Sequence, residues 1–414
     1  MDLSLNQQNW RKIDLQDVRK AREFLRSRIS PTPVSRCPAA FQTSGVDLYF
    51  KYENLQLTGS FKIRGALNKL NSLTASERAR GVVTSSAGNH AQGVALGARQ
   101  LGLAAHIVMP LTTPIIKVNA TKSYGAEVIL HGEVYDEAFA HAKTLQEREG
   151  YVFVHPYQDP EVIAGQGTIG LEILEDLPDL DTLVIPIGGG GLISGIATVV
   201  KSLKPSVRVI GVVSSLLPGM AQLKRGQTPA VGLSGRVATI AEGIAIKAPS
   251  QLMFDTYISS LVDDVIEVDD NEIAQAIVFL LEKAKTVTEG AGAAGFAAVQ
   301  SGRLKLGPKT CVVLCGGNID LNVMAKVIER GLRREHRLAR LAVVCEDLPG
   351  NLNRLTNVMA ESRANILEVY HDRVSPELAL RETRIDLLVE TSSDEHILQI
   401  KTELRDKGFK IVRE

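Results

Sequence analysis

From residue 48 onward, short runs of β-branched and apolar residues alternate with segments whose apolar positions recur every three or four residues. Gly81-Val82-Val83-Thr84 reads as a strand feeding a helix that opens at Ala87-Gly88-Asn89. Ala105-His106-Ile107-Val108-Met109 reads as the next strand, with a helix running to Tyr124. Glu127-Val128-Ile129-Leu130 leads into a helix over 135–149. The rhythm returns at Thr182-Leu183-Val184-Ile185-Pro186, which runs into four glycines and a helix over 193–203. Residues 207–213 and 311–315 read as further buried strands. This βαβ alternation predicts an α/β architecture of two doubly wound, mostly parallel sheets, the smaller (about 48–152) set within the larger. Ahead of it, residues 1 to about 30 read as an amphipathic helix, stopped by Ser30-Pro31-Thr32-Pro33.

The pattern changes near the end. Arg333-Arg334-Glu335-His336-Arg337 belongs to a charged bridge over 331–337, read as a linker. Beyond it come a strand (338–344), a helix (351–364), two strands (366–374 and 383–390), a helix (394–407) and a strand (410–412). Leu352, Leu355 and Met359 share helical spacing, as do Ile397, Ile400 and Leu404. Gly408 suits the second helix's C-cap. The expected organisation is a region over 1–330, the linker, and a βαββαβ module over 338–414.

Composition narrows the function. Lys plus Arg and Asp plus Glu both total 47, so the formal charge is zero, which argues against a dominant nucleic-acid or anionic-membrane role. The N-terminus has no apolar signal-peptide core, and no apolar run approaches the roughly 20 residues that span a bilayer. The four cysteines, Cys37, Cys311, Cys315 and Cys345, form no CxxC, and no HExxH completes a zinc site, so no metal is expected. Reducing cytoplasm is the simplest compartment.

Three stretches carry candidate chemistry. Ser60-Phe61-Lys62-Ile63-Arg64-Gly65 sets a lysine behind an aromatic residue at a helix start. Lysine is the usual Schiff-base partner of an aldehyde cofactor, although a solvated lysine on a first turn is the commoner meaning of such a hexapeptide. Gly188-Gly189-Gly190-Gly191-Leu192 lets backbone N–H groups approach an anion at a helix's positive end. Ser194 stands where a GxGxxG count from Gly189 needs glycine, and no acid ends the next strand, so a single phosphate fits better than a dinucleotide. A merely tight strand-to-helix turn is the alternative. In Ser85-Ser86-Ala87-Gly88-Asn89-His90, Ser86, the Gly88 amide, Asn89 and His90 crowd donors onto a helix start, suiting a carboxylate or an ordinary N-cap.

Taken in order with Cys315-Gly316-Gly317-Asn318, these motifs make residues 10–330 resemble the fold-type II pyridoxal-phosphate enzymes of the serine/threonine dehydratase group. The resemblance implies a Schiff base on Lys62, which also serves as the base, with Phe61 packed on the cofactor ring. It implies Asn89 at the ring's phenolic oxygen, Gly188, Gly189, Gly190, Gly191 and Leu192 around the phosphate, Gly243 against the cofactor, and Cys315 facing the pyridine nitrogen. Ser86, Gly88, Asn89 and His90 would bind the substrate carboxylate. A neutral thiol at the ring nitrogen leaves a weaker electron sink than a carboxylate would, favouring elimination over transamination. Racemase-like relatives carry a second serine where this chain has Ala87, and cation-binding relatives a glutamate matching Val213.

Residues 338–414 resemble an ACT domain, through the βαββαβ pattern and Asp347-Leu348-Pro349-Gly350-Asn351-Leu352. That implies an amino-acid effector near Asp347, Gly350, Asn351 and Leu352, facing residues 365–367 of a second copy, with isoleucine as the expected inhibitor. The activity expected is an L-threonine ammonia-lyase that also accepts L-serine, assembled as a homodimer or homotetramer. The alternatives are a serine-preferring dehydratase or racemase, and an inactive amino-acid sensor.

Overall fold

The computed structural model describes residues 10–39, 41, 45–229 and 238–413. The first nine residues of the expected N-terminal helix fall outside them. The helix itself spans Leu15–Leu25, and Asp14 caps it by accepting from the Gln16 and Asp17 N–H groups. The chain divides into two compact units, Met1–Ile319 and Asp320–Glu414.

The first unit holds both expected sheets. The larger runs β1 (Val34–Arg36), β2 (Asp47–Lys51), β10 (Lys309–Val313), β7 (Thr182–Pro186), β8 (Arg208–Ser214) and β9 (Asp264–Val268) in spatial order; all its pairings are parallel except β1 on β2. The smaller, β5 (Glu127–Leu130), β4 (Ala105–Met109), β3 (Val82–Ser85) and β6 (Val152–Phe153), is wholly parallel. One boundary moves. Residue 48 was expected to open the smaller sheet, yet β2 pairs with β10, far along the chain. Its alternation places Leu48 and Phe50 in the core of the larger sheet.

Helix Pro160–Asp176 fixes the spacing of the first unit. Asp159 caps it and Pro160 starts it with a ready-made φ. It lies against helix Lys62–Asn71, where a Cβ on Gly165 would stand 2.6 Å from the Arg64 carbonyl. It also lies against helix Gly191–Leu203, where a Cβ on Gly167 would stand 2.9 Å from the Gly195 carbonyl. Glycine at both crossings lets the backbones touch.

Charge locks the first of these crossings. Arg64, 1% exposed, gives paired hydrogen bonds to Glu53 (2.8 Å each) and to Glu172 (2.6 and 2.9 Å). Lys51 completes the group, donating to Glu172 and to the Thr32 carbonyl at 2.6 Å each. Two cations and two anions balance with almost every donor placed. That balance is the condition under which buried ions do not wreck a core. Burial would push the Glu172 carboxyl up, but the Arg64 guanidinium outweighs it and holds the group below its ordinary range. Removing one member of such a cluster leaves an uncompensated charge and costs about 3–5 kcal/mol. Arg64→Met is therefore expected to lower the unfolding free energy of the first unit by about that much, read as a lower denaturant midpoint. A midpoint matching wild type would show that the cluster adds no net stability.

The second unit is the βαββαβ module: β11 (Leu338–Glu346), helix Asn351–Glu361, β12 (Asn365–Asp372), β13 (Glu382–Glu390), helix Asp394–Asp406 and β14 (Lys410–Arg413). The antiparallel order is β12-β13-β11-β14. Leu355, Met359, Ile397, Ile400 and Leu404 close over the sheet as their spacing predicts. The unit also takes in helix Leu321–Arg334, so residues 331–334 of the expected linker are a helical turn. Its charges occupy the polar side of an amphipathic helix whose Met324 and Val327 are buried.

Candidate active site

Lys62 is the first residue of its helix, and residues 59–61 hold that start in place. Ser60 pairs with Gly316 across an isolated antiparallel bridge, and the Phe61 N–H donates to the Cys315 carbonyl at 3.2 Å. The Gly317 N–H donates to the Gly59 carbonyl at 2.8 Å. Lys62 and Cys315, 253 positions apart in number, therefore share one stitched segment. Lys62 is half-buried with no carboxylate bonded to it. Its Nζ donates to the Pro156 carbonyl at 2.9 Å and lies 5.1 Å from the centre of the Phe61 ring. Burial lowers its pKa to about 8, with Cys315 and Glu289 pulling the other way. At pH 7 roughly a tenth of the amine is then uncharged, far more than at a lysine's ordinary pKa. The Cys315 thiol is pushed far up by burial, so it is a neutral group.

Helix Asn89–Leu101 opens beside Lys62. A Cβ on Gly93 would stand 3.1 Å from the Lys62 carbonyl carbon. Ser86 accepts the Gly88 N–H at 3.2 Å. The first-turn N–H groups of Asn89, His90 and Ala91 have no partner within the helix and form a ready anion site. His90 needs correction as a carboxylate donor. Its Nε2 lies 2.9 Å from the Val154 carbonyl, which can only accept, so the ring's proton sits there. Burial, with Lys62 nearby, lowers its pKa to about 3, so the ring stays neutral and Nδ1 is an acceptor. Only the main-chain N–H of His90 is left to hold an anion.

The glycine run is a cradle built by close approach. Gly190 sits at φ +95°, a conformation other residues resist. A Cβ on Gly188 would stand 2.8 Å from the Gly243 carbonyl, so Gly243 lies against the run. A Cβ on Gly191 would stand 3.0 Å from Tyr157, and one on Gly189 would overlap the Tyr157 ring. Gly191 and the buried Leu192 begin helix Gly191–Leu203, whose free N–H groups point toward the run. The sequence pattern carried no signal for Tyr157, whose role is contact with glycines some thirty residues further on.

Glu289 was also missed. It lies just before helix Gly290–Gln300 and accepts from Asn89 Nδ2 at 2.7 Å. Asn318 Nδ2 donates to Asn89 Oδ1 and to the Thr58 carbonyl, both at 2.7 Å. An acid ahead of a small-residue helix looks like an ordinary cap. Its partner Asn89 is 200 positions away, so no local pattern could reveal it.

Of the effector positions, Gly350 turns at φ +96° into helix Asn351–Glu361. Asp347 accepts from Arg373 Nε at 3.1 Å, Asn351 donates to the Glu346 carbonyl at 2.7 Å, and Leu352 is exposed. Asn365 pairs with Glu390, which pairs with Leu338 at the other end of β11. Within one copy, residues 365–367 are therefore remote from the Asp347 turn.

A half-buried lysine without an acid partner, a glycine cradle at a helix start and a neutral thiol together fit pyridoxal phosphate. Lys62 would hold its aldehyde, Gly188 to Leu192 its phosphate, and Cys315 would meet its ring. Comparison with known proteins agrees. Residues 25–316 match the family model described as pyridoxal-phosphate dependent enzyme. The chain is 46% identical over 400 residues to an L-threonine ammonia-lyase of Thermotoga maritima, covering 96% of this chain and 99% of that one. It is 44% identical over 319 residues to the L-threonine dehydratase catabolic TdcB of Escherichia coli, covering 76% of this chain and 96% of that one. Among solved structures, maize serine racemase superposes with TM-score 0.71 at 35% identity, covering 79% of this chain and all of that one. The processed threonine deaminase isoform 2 of Solanum lycopersicum superposes with TM-score 0.69 at 34% identity, covering 77% and 94%. The fold and site define a fold-type II pyridoxal-phosphate enzyme. The chain belongs to the serine/threonine dehydratase group of that family, and it is a lyase.

The cradle gives a direct test. Gly189→Ala drives a methyl group into the Tyr157 ring. At the 1–3 kcal/mol typical of overpacking, cofactor affinity should fall about tenfold or more. An absorbance titration of the apo-protein with pyridoxal phosphate measures it, and unchanged affinity would remove the glycines from the phosphate site.

Proposed function

We propose that this chain deaminates L-threonine to 2-oxobutanoate and ammonia, and L-serine to pyruvate and ammonia. The observation that carries the reading is Lys62: a half-buried amine, bonded only to a main-chain carbonyl, beside the open N-terminus of helix Asn89–Leu101. The names of the relatives at 46% and 44% identity support threonine as substrate.

When bound, pyridoxal phosphate supplies the electron-withdrawing system that accepts the pair left at the substrate's α-carbon. The residues supply the rest. Main-chain N–H groups of Asn89, His90 and Ala91, with the Ser86 hydroxyl, hold the carboxylate and aim the α-hydrogen at Lys62. Lys62 Nζ takes that proton, for which a pKa near 8 is well matched. The β-hydroxyl then leaves as water, and hydrolysis of the resulting enamine releases ammonia. Phe61 keeps water from one side of the amine. Cys315, being neutral, does not drive protonation of the ring nitrogen.

Racemisation needs an acid on the face opposite Lys62. Ala87, which packs against the small sheet's core cluster, offers none there. We place the effector at the Asp347–Leu352 turn facing residues 365–367 of a second copy, which makes the working form at least a homodimer. The four thiols are free, which suits the cytoplasm.

Lys62→Ala should abolish the yellow imine absorption and cut keto-acid release by about 10²- to 10⁴-fold. Colour and turnover that both survive would sink the assignment. In wild type, keto acid formed from threonine and suppressed by isoleucine would support the effector site; release that ignores isoleucine would count against that inhibitor. Ala87→Ser should yield measurable D-serine from L-serine by chiral chromatography, and its absence would defeat the two-face argument.

A further inference from the structure

Glu289 has no part in the reading above, yet its half-buried side chain lies among Asn89, Lys62 and Cys315. Glu289 does not cap helix Gly290–Gln300. Its main chain is held by the Gly316 carbonyl at 3.0 Å, and its carboxyl reaches away to Asn89.

The network fixes which way Asn89 faces. The Thr58 carbonyl can only accept, so the Asn318 atom beside it is the amide nitrogen. That nitrogen also meets Asn89, whose facing atom must then be oxygen. The Asn89 NH₂ is left with two hydrogens. One goes to Glu289, and the other is free for the cofactor's phenolic oxygen.

We propose that Glu289 is a positioning residue which, through Asn89, sets whether the proton shared between the Lys62 imine nitrogen and the cofactor's phenolic oxygen sits on nitrogen or on oxygen. The inference rests on the assignment of Lys62 and Asn89 made above. A negative charge one amide away from the phenolic oxygen disfavours a negative oxygen. The proton then moves from nitrogen to oxygen, and the yellow form gives way to the near-ultraviolet one. A neutral Glu289 favours the yellow form. Burial raises the Glu289 pKa to about 7, against the Asn89 hydrogen bond, Lys117 and Lys62, and with Glu242 adding to the rise.

The Lys62 amine, the Cys315 thiol and the two imidazoles near it do not titrate there in the holoenzyme. Lys62 is tied up in the imine. The Cys315 thiol is pushed far up, and His90 and His155 are held low by burial. Lys117 and Glu242 are paired at 2.8 Å.

The test is an absorbance titration of the holoenzyme without substrate. In wild type, the ratio of yellow to near-ultraviolet absorption should fall several-fold as pH rises through neutrality. In the E289Q protein the ratio should stay high and flat, and Glu289→Asp should restore a transition at a displaced midpoint. An E289Q titration that matches wild type in midpoint and amplitude overturns the proposal. Should E289Q load no cofactor, Glu289→Asp decides alone: a displaced midpoint supports the proposal and an unmoved one overturns it. Loss of loading in both also overturns it, because a residue acting only through Asn89 touches no cofactor atom. Lys62→Ala run alongside separates the two readings. Yellow absorption that persists there sinks the Lys62 assignment, whereas absorption that needs Lys62 but ignores Glu289 sinks this inference alone.

Discussion

Arg64 is the residue on which the site depends. It sits two positions after Lys62 and carries a full charge inside the core. Such a charge is tolerable only where opposite charges meet it with good geometry. Glu53 approaches from the segment after β2, and Glu172 from helix Pro160–Asp176. The lysine helix is thereby referenced to the large sheet on one side and to the long helix on the other. The same long helix touches the helix that follows the glycine run through its Gly167–Gly195 crossing. Any shift that spoiled the distance from Lys62 to the cradle would break a buried ion cluster or push backbone into backbone. Geometry relevant to catalysis is thus held by interactions that touch no substrate.

The elements were legible wherever their signal was local. Alternation and periodicity gave β3, β4, β5, β7, β8 and β10, the βαββαβ order of the second unit and its inward-facing leucines and isoleucines apart from the exposed Leu352. Glycine density gave the cradle, and the Ser-Phe-Lys and Ser-Ala-Gly-Asn-His motifs gave the two sides of the candidate site. What escaped depends on pairing across the chain. Leu48 to Lys51 look the same whether they join the small sheet or lie beside β10, and only that long-range pairing decides. Tyr157 and Glu289 are unremarkable in their own segments and matter through Gly189 and Asn89. The charged run at 331–337 misled because a polar helix face and a linker share composition. His90 misled differently. It does stand on the first turn of helix Asn89–Leu101, but its ring was already spent on the Val154 carbonyl.

The second unit shows the same economy of signal. Its core follows from two amphipathic helices over one face of an antiparallel sheet. Its other features concern the rim. β12 is an edge strand with Leu367, Val369 and Tyr370 exposed, and an edge of that kind offers unpaired backbone groups next to apolar side chains. The Asp347 turn lies at one end of the sheet and residues 365–367 at the other. A ligand that needs both requires two copies to bring them together.

The neutrality of His90 has a kinetic meaning. Had the imidazole gripped the substrate carboxylate as a cation, affinity would have drained away as the ring lost its proton. Peptide N–H groups do not titrate. A carboxylate held by the opening turn of helix Asn89–Leu101 would keep those partners at every pH the fold survives. Acid and alkali would then act through Lys62 and Glu289 and not through loss of the groups that hold the carboxylate. An enzyme built this way keeps its hold on the substrate's carboxylate while its speed follows the acidity around it.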